Sequence, residues 1–476
     1  MTYRMGVALG SYRASGAVLN ADGRVLASID REFLSVEELG EVMRATLVAS
    51  GVDPGEIGHI MFALTDSRAL DELPAEAGYW RGWPGRLARV AAVRLGAATT
   101  SVPPLALWPV EMRKRVAVAS TCLSGGAMLD GGDYEPLDIE GLLAFARKIA
   151  GTVGAVAITG VFSSVTPRHE LAAADVLREE LGSATAILLS HEFGGLGLVE
   201  RENATVLQAA LTVPAAEEAG MLLTAVTHLG MPNAEVFLAR GDGTIATLDN
   251  AVTHPLSILG GMDATAAMGA ASLAGVQDAL VVLTTPDGAA RAVCSLTGGR
   301  PRMTVGHTKV AGVPTGLSVP AVVPVYESLE EALDRAKDAP GDLPLIVSGP
   351  GAKAFAKSLP RKPNGVLDVV CPPDTEAAAA VGAAAAPVSG EARRIVPLGS
   401  PHLDEIRAAV REAARASAMR AGADPAGVEV ISVDEKPLAY LSEPTVVLRV
   451  RAAGPPRVGW LSGRTRFAAS VREERQ

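Results

Sequence analysis

Short apolar runs that alternate with capped, amphipathic segments predict an α/β fold whose sheets are covered by helices. Three observations carry that reading. HIMFAL (59–64), VAVA (116–119) and AVAIT (155–159) are short runs of buried type, separated by helical patterns such as 138–150. The alternation resumes at AILLS (186–190), EVFLA (235–239), ALVVLT (279–284) and LIVS (345–348), so a second half follows the first. Hydrophobic content of 48% with only 4% aromatic residues predicts cores packed from Ala, Val and Leu. The expected division is 1–170, 171–390 and a small α+β region with its tail at 391–476.

Taken in order, residues 5–28 alternate MGVALG, AVLN and VLAS around the turn ADGR, whose Asp22-Gly23 pair predicts a β-hairpin. In SVEELGEVMRATLVASG, Ser35 is the expected N-cap, Glu38 its capping-box partner and Gly51 the stop, giving a helix over 36–50. After the Ala-rich run 377–386, the segment PVSGEARRIVPLGSP (387–401) carries Pro, Gly and Ser punctuation and marks the expected domain boundary. Residues 402–421 read as an amphipathic helix ending at Gly422, and VEVISVD and TVVLRVRA as two strands. The arginine-rich stretch 454–476 is expected to be a frayed or partner-contacting tail.

Charge and composition exclude several classes. A formal net charge of −10 over 476 residues argues against a general nucleic-acid binder, which needs clustered Lys and Arg. The apolar run 5–10 is too short for a signal-peptide core, and no stretch reads as a membrane span, so the expected location is the cytoplasm. Cys122, Cys294 and Cys371 lie far apart without C-x-x-C spacing, and the seven histidines form no H-x-x-x-H pair, so no metal site is predicted.

The stretch SHEFGGLGLVERENATVLQAAL (190–211), with VFSSVTPRHE (161–170) and VRLGAATTSVPPLALWP (93–109), resembles the hydantoinase A and 5-oxoprolinase family of actin-like, ATP-dependent cyclic-amide hydrolases. The likeness runs over about 5–453. It implies two α/β halves closing on ATP and Mg²⁺, with a first hairpin close to D-x-G-G-T-x-T-D. Here that stretch is Ala8-Leu9-Gly10-Ser11-Tyr12-Arg13-Ala14-Ser15, with Ala8 and Ser15 at the two Asp positions. Gly10, Ser11 and Arg13 are the nucleotide-binding candidates on this side, Arg13 as a cation facing an anion.

The matching second hairpin is ALVVLTTPDGAARAV (279–293). There Thr284 replaces the Asp, Pro286 lacks an N–H donor, and Asp287-Gly288 keeps a turn that either stands in for the lost carboxylate or is a plain hairpin. At 258–275 the family's S-G-P helix start becomes Gly261-Met262-Asp263, placing a carboxylate where an anion would bind. The Gly-Gly-Gly-Ser loop expected after 306–326 is missing, and a substrate loop is hardly recognisable in LTDSRALDEL (64–73). LIVSGPGAKAF (345–355) resembles the adenosine-side turn and adds Gly349 and Gly351 as candidates.

Arg94, His169, Glu170, His191 and Glu192 fall in the best-matching blocks, with Glu200, Arg201 and Asn203; such groups either hold the fold by hydrogen bonds or line a substrate cleft. Three functions stay open at this stage. The chain is an ATP-dependent hydrolase that opens a hydantoin-like or oxoproline-like ring, a degenerate homologue serving as a regulatory subunit in a homo-oligomer or beside a hydantoinase-type chain, or a small-molecule binder that hydrolyses nothing.

Overall fold

The computed structural model describes residues 2–10, 13–32, 38–64, 87–97, 102–193, 195, 197–304, 308–359, 361–438 and 444–457. The chain opens with β1 (Tyr3–Leu9), β2 (Arg13–Leu19) and β3 (Val25–Glu32), an antiparallel meander whose second turn is the expected Asp-Gly turn, with Gly23 at φ 79°. Helix α1 (Leu39–Ser50) stops at Gly51, whose φ of 68° explains the glycine. It starts three residues later than the sequence pattern indicates, and the expected cap Ser35 lies outside the described residues. Strand β4 (Ile57–Leu64) then runs parallel to β1 and is apolar on both faces, as a central parallel strand must be.

An inserted α/β unit follows. It contains β5 (Val90–Leu95), α2 (Val110–Val116), β6 (Ala117–Leu123), α3 (Ile139–Ile149), β7 (Ala155–Gly160), α4 (Arg168–Leu181) and β8 (Ala186–Leu189). Its four strands are all parallel, in the order β6-β5-β7-β8. Asp138 caps α3 by accepting from Gly141 N at 2.8 Å. Val116, read from sequence as the start of a strand, ends α2 instead. Helix α5 (Leu198–His228) returns the chain to the first sheet through β9 (Glu235–Ala239), parallel to β4, and β10 (Ile245–Thr247). Pro214 lies inside α5, where its ring removes one N–H donor without ending the helix.

Helices α6 (Leu248–Thr253) and α7 (Gly261–Ala274) lead to the second lobe. That lobe is built on β11 (Ala279–Thr284), β12 (Ala290–Thr297), β13 (Arg300–Pro301), the small hairpin β14 (Lys309–Val310) and β15 (Val313–Pro314), β16 (Val322–Pro324), α8 (Leu329–Ala336), β17 (Leu343–Ser348), α9 (Ala352–Ser358) and β18 (Val366–Val370). Helix α10 (Ala378–Ala385) crosses back, and β19 (Val388–Pro397), α11 (Leu403–Arg420), β20 (Glu429–Pro437) and β21 (Thr445–Gly454) complete the described chain.

The two lobes repeat one topology that no sequence repeat reveals. In the first, β3-β2-β1 is antiparallel and β1-β4-β9 parallel; in the second, β13 or β16 pairs β12, β12 pairs β11 antiparallel, and β11-β17-β18 is parallel. Helices α7 and α10 cross between the lobes at backbone contact. A Cβ on Gly269 would overlap Ala378 O, one on Gly382 would overlap Thr265 O, and one on Gly6 of β1 would overlap Ala380 O.

The sheets divide the chain differently from the expected boundaries. Residue 170 lies inside α4, and the punctuated segment 387–401 contains β19, which pairs β10 and β21. The C-terminal α+β region is present, but its strands extend the first sheet to nine members, with α11 packed on one face. Two stretches, Leu198–His228 and Pro255–Ala274, are long and apolar enough to cross a membrane, contrary to the sequence reading; 50% and 72% of their apolar windows are buried inside the fold, as in core helices.

Candidate functional site

The carboxyl ends of β1, β4 and β9, and of β11 and β17, form the edges where a two-lobed parallel fold presents its loops to a ligand. At the first edge the β1–β2 turn is closed by Gly10 N donating to Arg13 O at 2.9 Å. Ala8 faces Ser15 across the pair, and both are buried. Arg13 is not held out for an anion: its Nε and Nη2 donate to Asp30 Oδ2 on β3 at 2.8 and 2.6 Å. Burial raises the Asp30 carboxyl more than Arg13 lowers it. Ser11 and Tyr12 lie outside the described residues, as do nearly all of the weak substrate-loop stretch (65–73) and His307.

At the second edge, Asp287, Gly288, Gly349 and Gly351 come together. Thr285 N donates to Ala289 O and Gly288 N to Thr285 O, both at 2.9 Å. Asp287 Oδ1 accepts from the Thr285 hydroxyl and, at 3.4 Å, from Ala289 N, so this carboxylate closes its own turn and does not replace the missing Asp. Thr284 Oγ1 lies 3.1 Å from Ser348 O and 2.8 Å from Pro350 O, which commits its one proton to the neighbouring turn. Gly351 (φ 79°) packs backbone to backbone on that hairpin, because a Cβ there would overlap Thr285 O. Asp263, in the first turn of α7, pairs with Arg291 of β12. None of these carboxylates is disposed to hold Mg²⁺, so the residues present do not fit a metal-bound nucleotide in the manner the family resemblance implies. A hydrogen bond spans from β3 to the second lobe, Ser28 donating to Asp374 at 2.7 Å, and Glu376, paired with Lys353 at 3.2 Å, adds a like charge that raises the Asp30 carboxyl further.

A second constellation sits at the carboxyl ends of β5, β7 and β8 in the inserted unit. Arg94, with no exposed surface, donates Nε and Nη2 to Glu202 at 2.9 and 2.5 Å and Nη1 to Val102 O at 2.7 Å. Next to Glu202, Arg201 donates to Ser190 Oγ at 2.9 Å and to Gly160 O at 2.5 Å. Glu170, in the first turn of α4, accepts from Gly160 N (2.8 Å), Ser190 Oγ (2.5 Å), His191 N (3.0 Å) and His191 Nδ1 (2.6 Å). Burial opposes its charge, but His191, Ser190 and the two backbone donors hold the carboxyl below its usual range. Ser190 gives its proton to Glu170, so Ser163, 3.2 Å away, must donate to Ser190. Phe162 (φ 46°) and Ala97 (φ 53°) hold left-handed backbone at the ends of β7 and β5.

This network unites Arg94, Glu170 and His191 from the predicted set. His169 lies apart, with Nε2 3.4 Å from Asp133, and Glu192 is exposed beside His191. Because Glu170 accepts at Nδ1, neutral His191 carries its lone pair on Nε2, which meets no partner among the described residues and lies on a side chain 20% exposed. That geometry suits acid–base work or acceptance of a ligand N–H. Sequence reasoning missed Ser163, Ser190 and Glu202; Ser190 stands directly before His191 in the S-H-E motif, which was the available signal. No group of three or more His, Cys, Asp and Glu side chains able to hold a metal occurs among the described residues. An open cavity of about 770 Å³ lies away from both sites, against Leu259, Pro320 and Arg302, the last paired with Asp338.

No family profile matches the chain, and no curated protein matches it significantly. Solved structures do. An acetone carboxylase from work on ATP-dependent acetone carboxylation, in its nucleotide-free form, aligns with 95% of this chain and 88% of its own, at 10% identity and a TM-score of 0.64. The ATP-dependent caprolactamase from Pseudomonas jessenii aligns over the same shares at 13% identity and a TM-score of 0.65. At such identities the likeness is one of fold, and the fold is the two-lobed, actin-like α/β architecture.

Proposed function

We propose that this chain is a hydantoinase/oxoprolinase-like protein that keeps the two-lobed fold without hydrolysing ATP, as a pseudoenzyme or regulatory subunit. One observation carries the reading. Ala8 and Thr284 stand where the two hairpins of the resembled family hold carboxylates, and the Thr284 hydroxyl is committed to Ser348 and Pro350. Phosphoryl transfer rests on a bound metal and anchored phosphates, and losing both anchors is consistent with relaxed nucleotide chemistry on a retained fold. A hydantoinase-type partner subunit and a cytoplasmic location belong to the same proposal.

Two other readings have support. Likeness of fold to an enzyme named as an ATP-dependent caprolactamase favours an active hydrolase that opens a cyclic amide. The part-exposed His191, anchored through Nδ1 on Glu170, favours binding of a small molecule without hydrolysis. Calorimetric titration with Mg²⁺-ATP, with phosphate release followed in the same samples, separates them. The proposal expects a cooperatively folded chain and no phosphate release; Mg²⁺-dependent release at a steady rate would return the protein to the hydrolases.

A further inference from the structure

We infer that the rim of the first lobe, where the guanidiniums of Arg240 and Arg451 stand beside Asp242 and Arg300 lies within their field, binds a multiply charged oxyanion of the phosphate class without a metal. The β9–β10 turn, Arg240-Gly241-Asp242-Gly243-Thr244, leaves the carboxyl end of β9 on the sheet edge that also carries the β1–β2 turn. Such edges are where open α/β sheets take their ligands. Arg451 reaches this turn from β21, on the face opposite α11. Arg300 comes from the second lobe, with Nη1 donating to Ile431 O on β20 at 2.9 Å. The three cations therefore meet at a seam between the lobes.

Their charge is not balanced there. Asp242 is the carboxylate they share, and its Oδ1 already accepts from Thr244 N at 3.1 Å and Thr244 Oγ1 at 2.6 Å. Arg240 Nη2 and Arg451 Nη1 stand 4.0 and 3.6 Å from Asp242 Oδ2, beyond hydrogen-bond length. Arg240 otherwise donates only to Ser389 Oγ at a long 3.4 Å, and its buried Nε has no partner among the described residues. Arg451 uses Nε on Ser432 Oγ at 3.1 Å. Each guanidinium offers five N–H donors in a fixed fork, so most donors here have no protein partner among the described residues. The neighbouring acid Glu391 lies across from Arg451 and in its field, but its hydrogen bonds come from Arg449 at 2.6 Å and Arg393 at 2.9 Å, and the field of Asp434 acts on Arg449. Burial, and then the like charge of Arg451, lowers the Arg300 guanidinium below its ordinary value, against the opposing field of Asp242. Guanidinium forks gathered near one carboxylate match a phosphate, whose oxygens accept several N–H donors at once. Asp242 attracts the cations without hydrogen-bonding them, and the second negative charge of the ligand supplies what Asp242 does not.

The test is titration of the full chain with inorganic phosphate, in metal-free buffer and at constant ionic strength, by calorimetry and thermal melting. Saturable binding of about one phosphate per chain is expected, with chloride at equal ionic strength giving no stabilisation. Arg240→Gln and Arg451→Gln should each weaken binding about tenfold or more, and Arg451→Lys should restore part of it. A parallel titration with AMP distinguishes a free anion, if phosphate binds as tightly, from the phosphate of a nucleotide, if AMP binds more tightly. Absence of a phosphate-specific effect on the unaltered chain overturns the inference whatever the variants do, and so does undiminished binding in folded Arg240→Gln and Arg451→Gln. Omitting ATP and Mg²⁺ keeps this result separate from the hydrolysis assay.

Discussion

Glu218 shows how far a single residue can depart from what its type suggests. It lies on α5 among Ala215, Ala219 and Leu222, Oε1 has no partner among the described residues, and burial pushes its carboxyl up to about 8. The folded chain thus keeps a proton that the unfolded chain releases above about 4.5. Stability should therefore fall as pH rises from about 4.5, with the loss complete above about 8, at ~1.4 kcal/mol per pKa unit. Glu218→Leu should raise the melting temperature much more at pH 9 than at pH 5, although Glu235, raised to about 7 by burial, leaves a smaller fall in place. Urea melts of both chains at the two pH values check this; equal gains would refute it. The Arg94–Glu202 pair is the opposite case, two buried charges that satisfy each other. Glu202→Leu alone should cost about 3–5 kcal/mol by stranding Arg94, whereas Arg94→Met with Glu202→Leu should cost far less, as a double-mutant cycle would show.

At the scale of elements, the crossing of α7 and α10 rests on glycines that admit no side chain. Gly269→Ala or Gly382→Ala forces helix backbones apart and should destabilise by several kcal/mol, in the range of overpacked cores. Gly220, inside α5, has nothing within 4 Å of an added Cβ, so Gly220→Ala should stabilise by about 0.5–1 kcal/mol. Opposite signs for chemically identical changes, read from chemical denaturation, are the expected outcome; like signs would mean the helix crossing is looser than described. The helices themselves were legible. The 138–150 pattern, the α11 pattern with its Gly422 stop and the Ala-rich run at 377–386 each formed within a few residues of expectation. The long α5 was not, because Pro214 and a nearly unbroken buried surface over its first half leave no amphipathic stripe to read.

For the whole molecule, the nine-stranded sheet makes the C-terminal region part of the first lobe. β19 hydrogen-bonds to β10 and β21, and Val388, Val396, Leu448 and Val450 join Ala8, Met61 and Phe237 in one core. A chain truncated after residue 387 should lose cooperative unfolding and solubility, since β10 becomes an open edge and that core is uncovered. A truncated chain that melts as sharply as the full chain would support the separate region that the Pro and Gly punctuation suggested.

Strand runs, helix stops and the two hairpins were set by local chemistry, so the turns after Ala8 and Thr284 could be placed from sequence. The same holds for the identity, though not the partners, of Arg94, Glu170 and His191. Whether Arg13 faced an anion or Asp30, and whether Asp287 turned outward or closed its own turn, depended on strands and turns brought together by the fold. The rim arginines come from 240, 300 and 451, separations at which sequence carries no register. The repeated lobe topology was hidden for the same reason: hydrogen-bond ladders conserve backbone direction, and many apolar sequences satisfy them equally well.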